Sequence, residues 1–236
     1  MFSLPLTDSQ ELYEINPSKI ICVGRNYLEH VKEGTQIHGK DEVIEIPAEP
    51  MLFPKFPNAL LPPGGDIQLP VVIGDYDFEP RTDYEGELAV IIGKDCKHVS
   101  EKEAYSVIFG FTCLLDISQR NIQNGDRSGW FRGKSFDTFA PVGPSVTPIE
   151  KIGDPQALSL ETRLNGKVVQ QGNTEQMIFS LKRLIAFISR NFSLKAGDII
   201  ATGTPSGVGP LTPGDVIEVE IENIGCLKNQ VVSETL

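Results

Sequence analysis

The sequence predicts an α+β fold that is mainly β, and three observations carry that expectation. Short Val- and Ile-rich runs bounded by Gly, Pro and Asp recur along the chain. Three phrases, PPGGDIQLP, KAGDIIATG and TPGDVIEVEIENIG, each open an extended run with Gly-Asp, the chemistry of a turn leading into a strand. Only one segment shows a long helical period.

The expected strands are Lys19 to Val23, Glu87 to Ile92, Phe109 to Leu115, Leu158 to Leu164, Asp198 to Ala201 and Val216 to Ile221. The long helix is placed at Met177, Ile178, Leu181, Leu184, Ile185 and Ile188, with Asn173 and Gln176 as its capping pair. A shorter helix is expected from Ser100, with Glu103 completing a second capping box. Residues Gly34 to Pro50 form a polar stretch without period, long enough for a lid or binding loop. The chain then divides into a small N-terminal segment with its lid loop, 1–50, and a catalytic β domain, 51–236, the two forming one structural unit.

Composition removes several classes of function. A length of 236 residues with 40% apolar content is enough for a full core. The excess of 32 acidic over 21 basic residues gives a net charge of -11, which repels phosphate backbones and acidic membrane surfaces. No run approaches the roughly 20 apolar residues of a membrane span, and the N-terminus lacks the pattern of a targeting signal. A cytoplasmic protein that binds neither nucleic acid nor membrane is therefore expected. Cys22, Cys96, Cys113 and Cys226 form no CxxC pair; Cys22, Cys113 and Cys226 read as reduced core thiols.

The run DYEGELAVIIG places Glu85 and Glu87 two residues apart beside an apolar strand, on one face. Two converging carboxylates repel and need solvent or a cation between them. Gly86 is expected to leave the opposite side uncrowded. About thirty residues on, GFTCLLDISQRNIQ ends a second apolar strand on Asp116, followed by Arg120 and Gln123. Three carboxylates suit Mg²⁺ or Mn²⁺ better than zinc, which prefers nitrogen and sulfur; the alternative is a solvated strand start.

In CVGRNYLEHVKEG, His30 and Glu33 are three apart, side by side on a short helix, the arrangement that fixes an imidazole tautomer and raises its basicity. A surface pair is the alternative, and it is the only reading for His38 and His98. Lys134 in WFRGKSFDTFAPVGP lies among aromatic residues, where a buried ammonium needs an anion; otherwise it snorkels to the surface. ATGTPSGVGP matches neither phosphate-loop pattern, although its amides and Thr204 can cradle a carboxylate.

The ordered set CVGRNYxxH, LFPKFPNALLPPGGDI, DYEGELAVIIGK, LLDISQRNIQ, WFRGKSFDTFAPVGP, MIFSLKRLIAFIS and GDIIATGTPSGVGP resembles the fumarylacetoacetate hydrolase family from about Ile20 to Val231. The length is similar to the short members that act on acylpyruvates, oxaloacetate or hydroxymuconate-type diene acids. The resemblance implies a mixed β-roll with peripheral helices, a homodimer, and Mg²⁺ or Mn²⁺ held by Glu85, Glu87 and Asp116. It implies that Lys134, Arg120, Gln123 and Thr204 contact the oxygens of a small 2-oxo acid, that His30 and Glu33 form a catalytic dyad, and that Arg25 and Tyr27 line the same pocket. The sequence departs from the family at Asn121, where many members have Asp, at Ala140, where Cys is common, and in the longer 34–50 loop.

The activity so implied is hydrolysis of a C–C bond in an acylpyruvate or related 2,4-dioxo acid, with water activated by His30. Decarboxylation of oxaloacetate and isomerisation of a diene acid share the same enolate and are the alternatives. A non-catalytic metal- or ligand-binding β module stands as the reading from another class.

Overall fold

The computed structural model describes residues 1–37, 46–71, 80–125 and 130–235. Of the expected 34–50 lid loop, residues 34–37 belong to the helix Leu28–Ile37 and residues 38–45 lie outside the described residues.

A seven-stranded mixed sheet forms the centre. It contains Ile20–Gly24, Met51–Lys55, Gly86–Ile92, Ile108–Leu115, Ala140–Pro148 and Ile199–Ala201, with the short Leu60–Leu61 at one edge. The strand Gly86–Ile92 is buried at every residue because both faces of the sheet are covered. Leu88, Val90 and Ile92 join the larger core, and Ala89 and Ile91 a smaller one on the other side. This accounts for a continuous apolar run where a half-exposed strand would alternate.

The larger core is closed by a five-stranded sheet, whose Leu160, Ile217, Val219 and Leu227 face it, and by the helix Leu181–Asn191. The smaller core is capped by the hairpin Phe2–Pro5 and Leu12–Ile15 through Leu4 and Ile15. The six expected strands are all present, within a residue or so at their ends. Strands with Pro, Gly or dense charge escaped the sequence reading, among them Ala140–Pro148 and Lys167–Asn173.

Both helix expectations need correction. Asn173 and Gln176 do form a capping box, but it caps a 3-10 turn, Thr174–Gln176. The α-helix begins at Leu181, capped by the Ser180 side chain, and Met177 and Ile178 precede it. Glu103 Oε2 accepts from Ser100 N at 3.3 Å, one half of the expected capping box, yet the chain continues into a 3-10 turn, Ala104–Val107, and then a strand. Local capping chemistry set the turn; the burial demands of Ile108–Leu115 decided what followed.

Four free cysteines agree with the thiol reading, although Cys226 is only half-buried. No helix among the described residues is long and apolar enough to cross a membrane.

Candidate active site with an acidic triad

The site grows from one antiparallel strand pair. Gly86–Ile92 and Ile108–Leu115 pair with Gly86 opposite Leu115, and Asp116 N donates to Glu85 O at 2.8 Å. The acids that flank these strands therefore emerge at the same end. Glu85, Glu87 and Asp116 are buried, and one ligand oxygen from each lies within 4.8 Å of the others. The solvated strand start is excluded.

Gly86 is required for a different reason from the one expected. A Cβ there would lie 2.2 Å from Thr162 Oγ1 and 3.0 Å from Val219 Cγ2, so the opposite side is filled by the five-stranded sheet. Gln170 accepts from Gly86 N at 3.0 Å and donates to Thr204 Oγ1 at 2.8 Å, while Thr204 Oγ1 donates to Gly86 O at 2.9 Å. Thr204 reaches the cavity, but its proton is committed to Gly86, so as placed it braces the acid pair.

Lys134 is 1% exposed and not a surface lysine. Its Nζ donates to Glu85 Oε2 at 2.6 Å and Asp116 Oδ2 at 2.7 Å. Arg120 donates to Glu85 Oε1 at 2.6 Å, Asp83 Oδ2 at 2.9 Å and Gln123 Oε1 at 2.9 Å. Lys55 Nζ stands 2.7 Å from Asp116 Oδ1. Burial works against the charge on Glu85, but Arg120 and Lys134 outweigh it and hold this carboxyl well below the usual range. Burial likewise opposes the Lys134 ammonium, and Asp116 and Glu85 reverse the sign and raise it.

Glu87 is placed differently. Among the described residues its carboxylate receives only the Gly203 N–H, at 2.8 Å. Burial, with Asp116 and Glu85 nearby, pushes its carboxyl well above the usual range. Among the described residues one buried acid thus has no ion pair, and Asp116 Oδ1 accepts no hydrogen bond despite its ion pair with Lys55. Uncompensated charge and unspent lone pairs on an all-oxygen donor set fit a hard divalent cation.

Above the acids opens a cavity of about 260 Å³ lined by Arg25, His30, Glu33, Arg81, Arg120 and Gln123, among others. The helix Leu28–Ile37 carries His30 and Glu33 to its rim. His30 Nδ1 lies 3.2 Å from Glu33 Oε2, and Nε2 lies 4.0 Å from Glu85 Oε1, so the imidazole stands between its partner and the triad. Tyr27 is a correction: its ring packs in the larger core, 2% exposed, its hydroxyl has no hydrogen-bond partner among the described residues, and it is not among the cavity-lining residues. The apolar packing around Val23 and Tyr27 draws the ring inward.

Sequence reasoning missed four participants. Asp83, which anchors Arg81 and Arg120, shares the parity of Glu85 and Glu87 in DYEGE, and that signal was available. Lys55 follows the same alternation as the buried Phe53. Asn26 donates to Phe179 O and Thr202 O and accepts from Phe179 N, locking the turn at Arg25 to the segment behind the triad. Gln170 has no sequence signature, because its role depends on which strand it faces.

The Fumarylacetoacetate (FAA) hydrolase C-terminal family matches residues 19–232. An uncharacterised protein of Archaeoglobus fulgidus is 46% identical over 98% of this chain and 85% of its own length. Human oxaloacetate tautomerase FAHD2A, mitochondrial, is 39% identical over 92% of this chain and 67% of its own. Among solved structures, 2-hydroxyhepta-2,4-diene-1,7-dioate isomerase from Mycobacterium marinum superposes with a TM-score of 0.79 at 38% identity, covering 94% of this chain and 77% of that one. Fumarylpyruvate hydrolase from Pseudomonas aeruginosa, in complex with Mn²⁺ and pyruvate, gives 0.82 at 29% identity, over 99% of this chain and 96% of that one. With nearly its whole length matched, the chain belongs to the fumarylacetoacetate hydrolase family.

Proposed function

We propose that the protein is a divalent-metal-dependent enzyme that moves a proton on a small 2-oxo acid, interconverting its keto and enol forms. The observation that carries this is the placement of His30, oriented by Glu33 and 4.0 Å from Glu85, at the mouth of a cavity floored by the acidic triad. A base at that point reaches the carbon next to a 2-oxo group whose oxygens face the triad.

Glu85, Glu87 and Asp116 would hold Mg²⁺ or Mn²⁺, which supplies Lewis-acid stabilisation of negative charge developing at the 2-oxo oxygen. Glu33 orients the imidazole and stabilises its protonated form. Arg120, Gln123 and Arg25 present donors to the substrate carboxylates, and Lys134 adds a buried positive charge beside the reacting oxygens. The identity to an oxaloacetate tautomerase and to a diene-acid isomerase supports proton transfer as the first reading. Hydrolysis of an acylpyruvate, the sequence-based expectation, is the second, because the same dyad can take its proton from water and a fumarylpyruvate hydrolase shares the fold over almost the whole chain. The family's Mn²⁺ and pyruvate complex supports the metal and substrate class in either case.

The test is to strip the purified protein with chelator, resupply Mg²⁺ or Mn²⁺, and follow enol absorbance of oxaloacetate and of acetylpyruvate while quantifying pyruvate. Metal-dependent enol decay of oxaloacetate without pyruvate release supports the tautomerase. Pyruvate formed in step with loss of acetylpyruvate replaces it with the hydrolase, and inactivity on both refutes the two readings together.

A further inference from the structure

We infer that Lys55 is a positioning residue: from beneath the site it fixes Asp116 and Lys134 relative to one another and thereby sets the affinity of the triad for a divalent cation. Lys55 ends the strand Met51–Lys55 and is 1% exposed. Phe53 and Lys55 point inward from that strand, so Lys55 occupies a position where alternation calls for an apolar side chain. A lysine buried there is costly unless all its hydrogens are used.

Two are used on backbone carbonyls beside the triad, and the charge is paired with the triad itself. Nζ donates to Ile117 O at 3.0 Å and to Lys134 O, and faces Asp116 Oδ1 at 2.7 Å. Two donated hydrogen bonds and a carboxylate ion pair therefore converge on one nitrogen. Those oxygens come from the end of the Ile108–Leu115 strand and from the end of the short helix Phe131–Lys134. Lys134 itself reaches back to Asp116 Oδ2, so the two lysines grip opposite oxygens of one carboxylate.

Lys55 is not among the residues lining the cavity, so it acts through Asp116 and Lys134 and does not meet substrate. A purely structural lysine would have no reason to bond the carbonyls of both Ile117 and Lys134 while pairing with a triad carboxylate. Removing an outer partner of a metal-binding carboxylate typically weakens metal binding by about 10–100-fold.

The inference rests on the metal reading above, and the experiment separates the two. Mn²⁺ is titrated calorimetrically into chelator-stripped wild type, Lys55→Met, Lys55→Gln and Lys55→Arg, with thermal unfolding run on each to establish folding. Expected are Mn²⁺ affinities at least about tenfold weaker for the Met and Gln variants, partial rescue by Arg, and a larger fall in kcat than rise in KM. A folded Met or Gln variant that binds Mn²⁺ within about twofold of wild type overturns the role. If neither folds, Lys55→Arg decides: a planar guanidinium cannot place two donors and the ion pair at one point, so wild-type affinity there also overturns it. Wild type that binds no Mn²⁺ overturns the metal reading itself.

Discussion

The backbone N–H of Gly207 donates to both carboxylate oxygens of Glu33, at 3.1 and 3.2 Å. The helix that brings His30 to the cavity is thereby tied to the ATGTPSGVGP segment, whose other end supplies Gly203 N to Glu87. Glu33 Oε2 thus meets both the Gly207 amide and the His30 imidazole, so the amide fixes the oxygen that orients the ring.

Gly207→Ala should break that tie. Gly207 has φ of +98°, and a Cβ would fall 2.0 Å from Val169 O, a backbone atom that cannot turn away. The segment must shift, at a cost of about 1–3 kcal/mol in stability. Turnover should drop by about 10²-fold through misplacement of the dyad, while Mn²⁺ affinity, read by calorimetry, stays near wild type. A matching loss of metal affinity would show that the segment serves the triad and not the dyad.

His30→Ala should reduce turnover by about 10²–10⁴-fold, the usual contribution of a positioned acid or base. Metal binding should persist, since His30 Nε2 is 4.0 Å from the nearest triad oxygen. Steady-state rates beside a Mn²⁺ titration check this, and an equal fall in both would remove His30 from the proton-transfer role.

Gly86→Ala should lower both stability and metal affinity. The added methyl collides with Thr162 Oγ1 and Val219 Cγ2, and overpacking of this kind costs about 1–3 kcal/mol. Because Gly86 sits between Glu85 and Glu87, relief of the clash must move at least one acid. Urea unfolding gives the first quantity and calorimetry the second; a destabilised protein with unchanged Mn²⁺ affinity would contradict the geometry.

Chelator-stripped protein should lose stability as pH rises above the ordinary carboxylate range. An unfolded glutamate releases its proton near about 4.3. Folded Glu87 retains its own to a higher pH, because burial and the neighbouring Asp116 and Glu85 raise it. Between those two values the folded state binds the extra proton, so each increase in pH favours unfolding, until Glu87 ionises in the fold as well. Glu85 is shifted the other way and acts below that window. Thermal unfolding from pH 5 to pH 8 with and without Mn²⁺ should show the decline only without metal; parallel curves would mean that Glu87 does not feel the cation.

The strands were legible wherever apolar runs were framed by Gly, Pro and Asp, and the triad wherever an acid closed such a run, as at Glu85, Glu87 and Asp116. What was hidden depends on contact across strands. Gln170 reaches Gly86 only because Lys167–Asn173 and Ser159–Leu164 pair beneath it, and no local pattern encodes that. The start of the long helix was misplaced because Met177 and Ile178 are apolar for a different reason: they pack on the larger core from a non-helical segment, bridged at Tyr27 and bonded from Ile178 N to Asn26 O. Tyr27 was assigned to the pocket by motif, whereas its ring is a core residue.

Lys134, Lys55, Arg120 and Arg81 already sit against Asp83, Glu85 and Asp116 in the closed sheet. The protein therefore carries its own counter-ions into the fold. Among the described residues Glu87 alone of the triad is left without an ion pair, so closing the sheet around this acidic floor does not need a cation at Glu85 or Asp116.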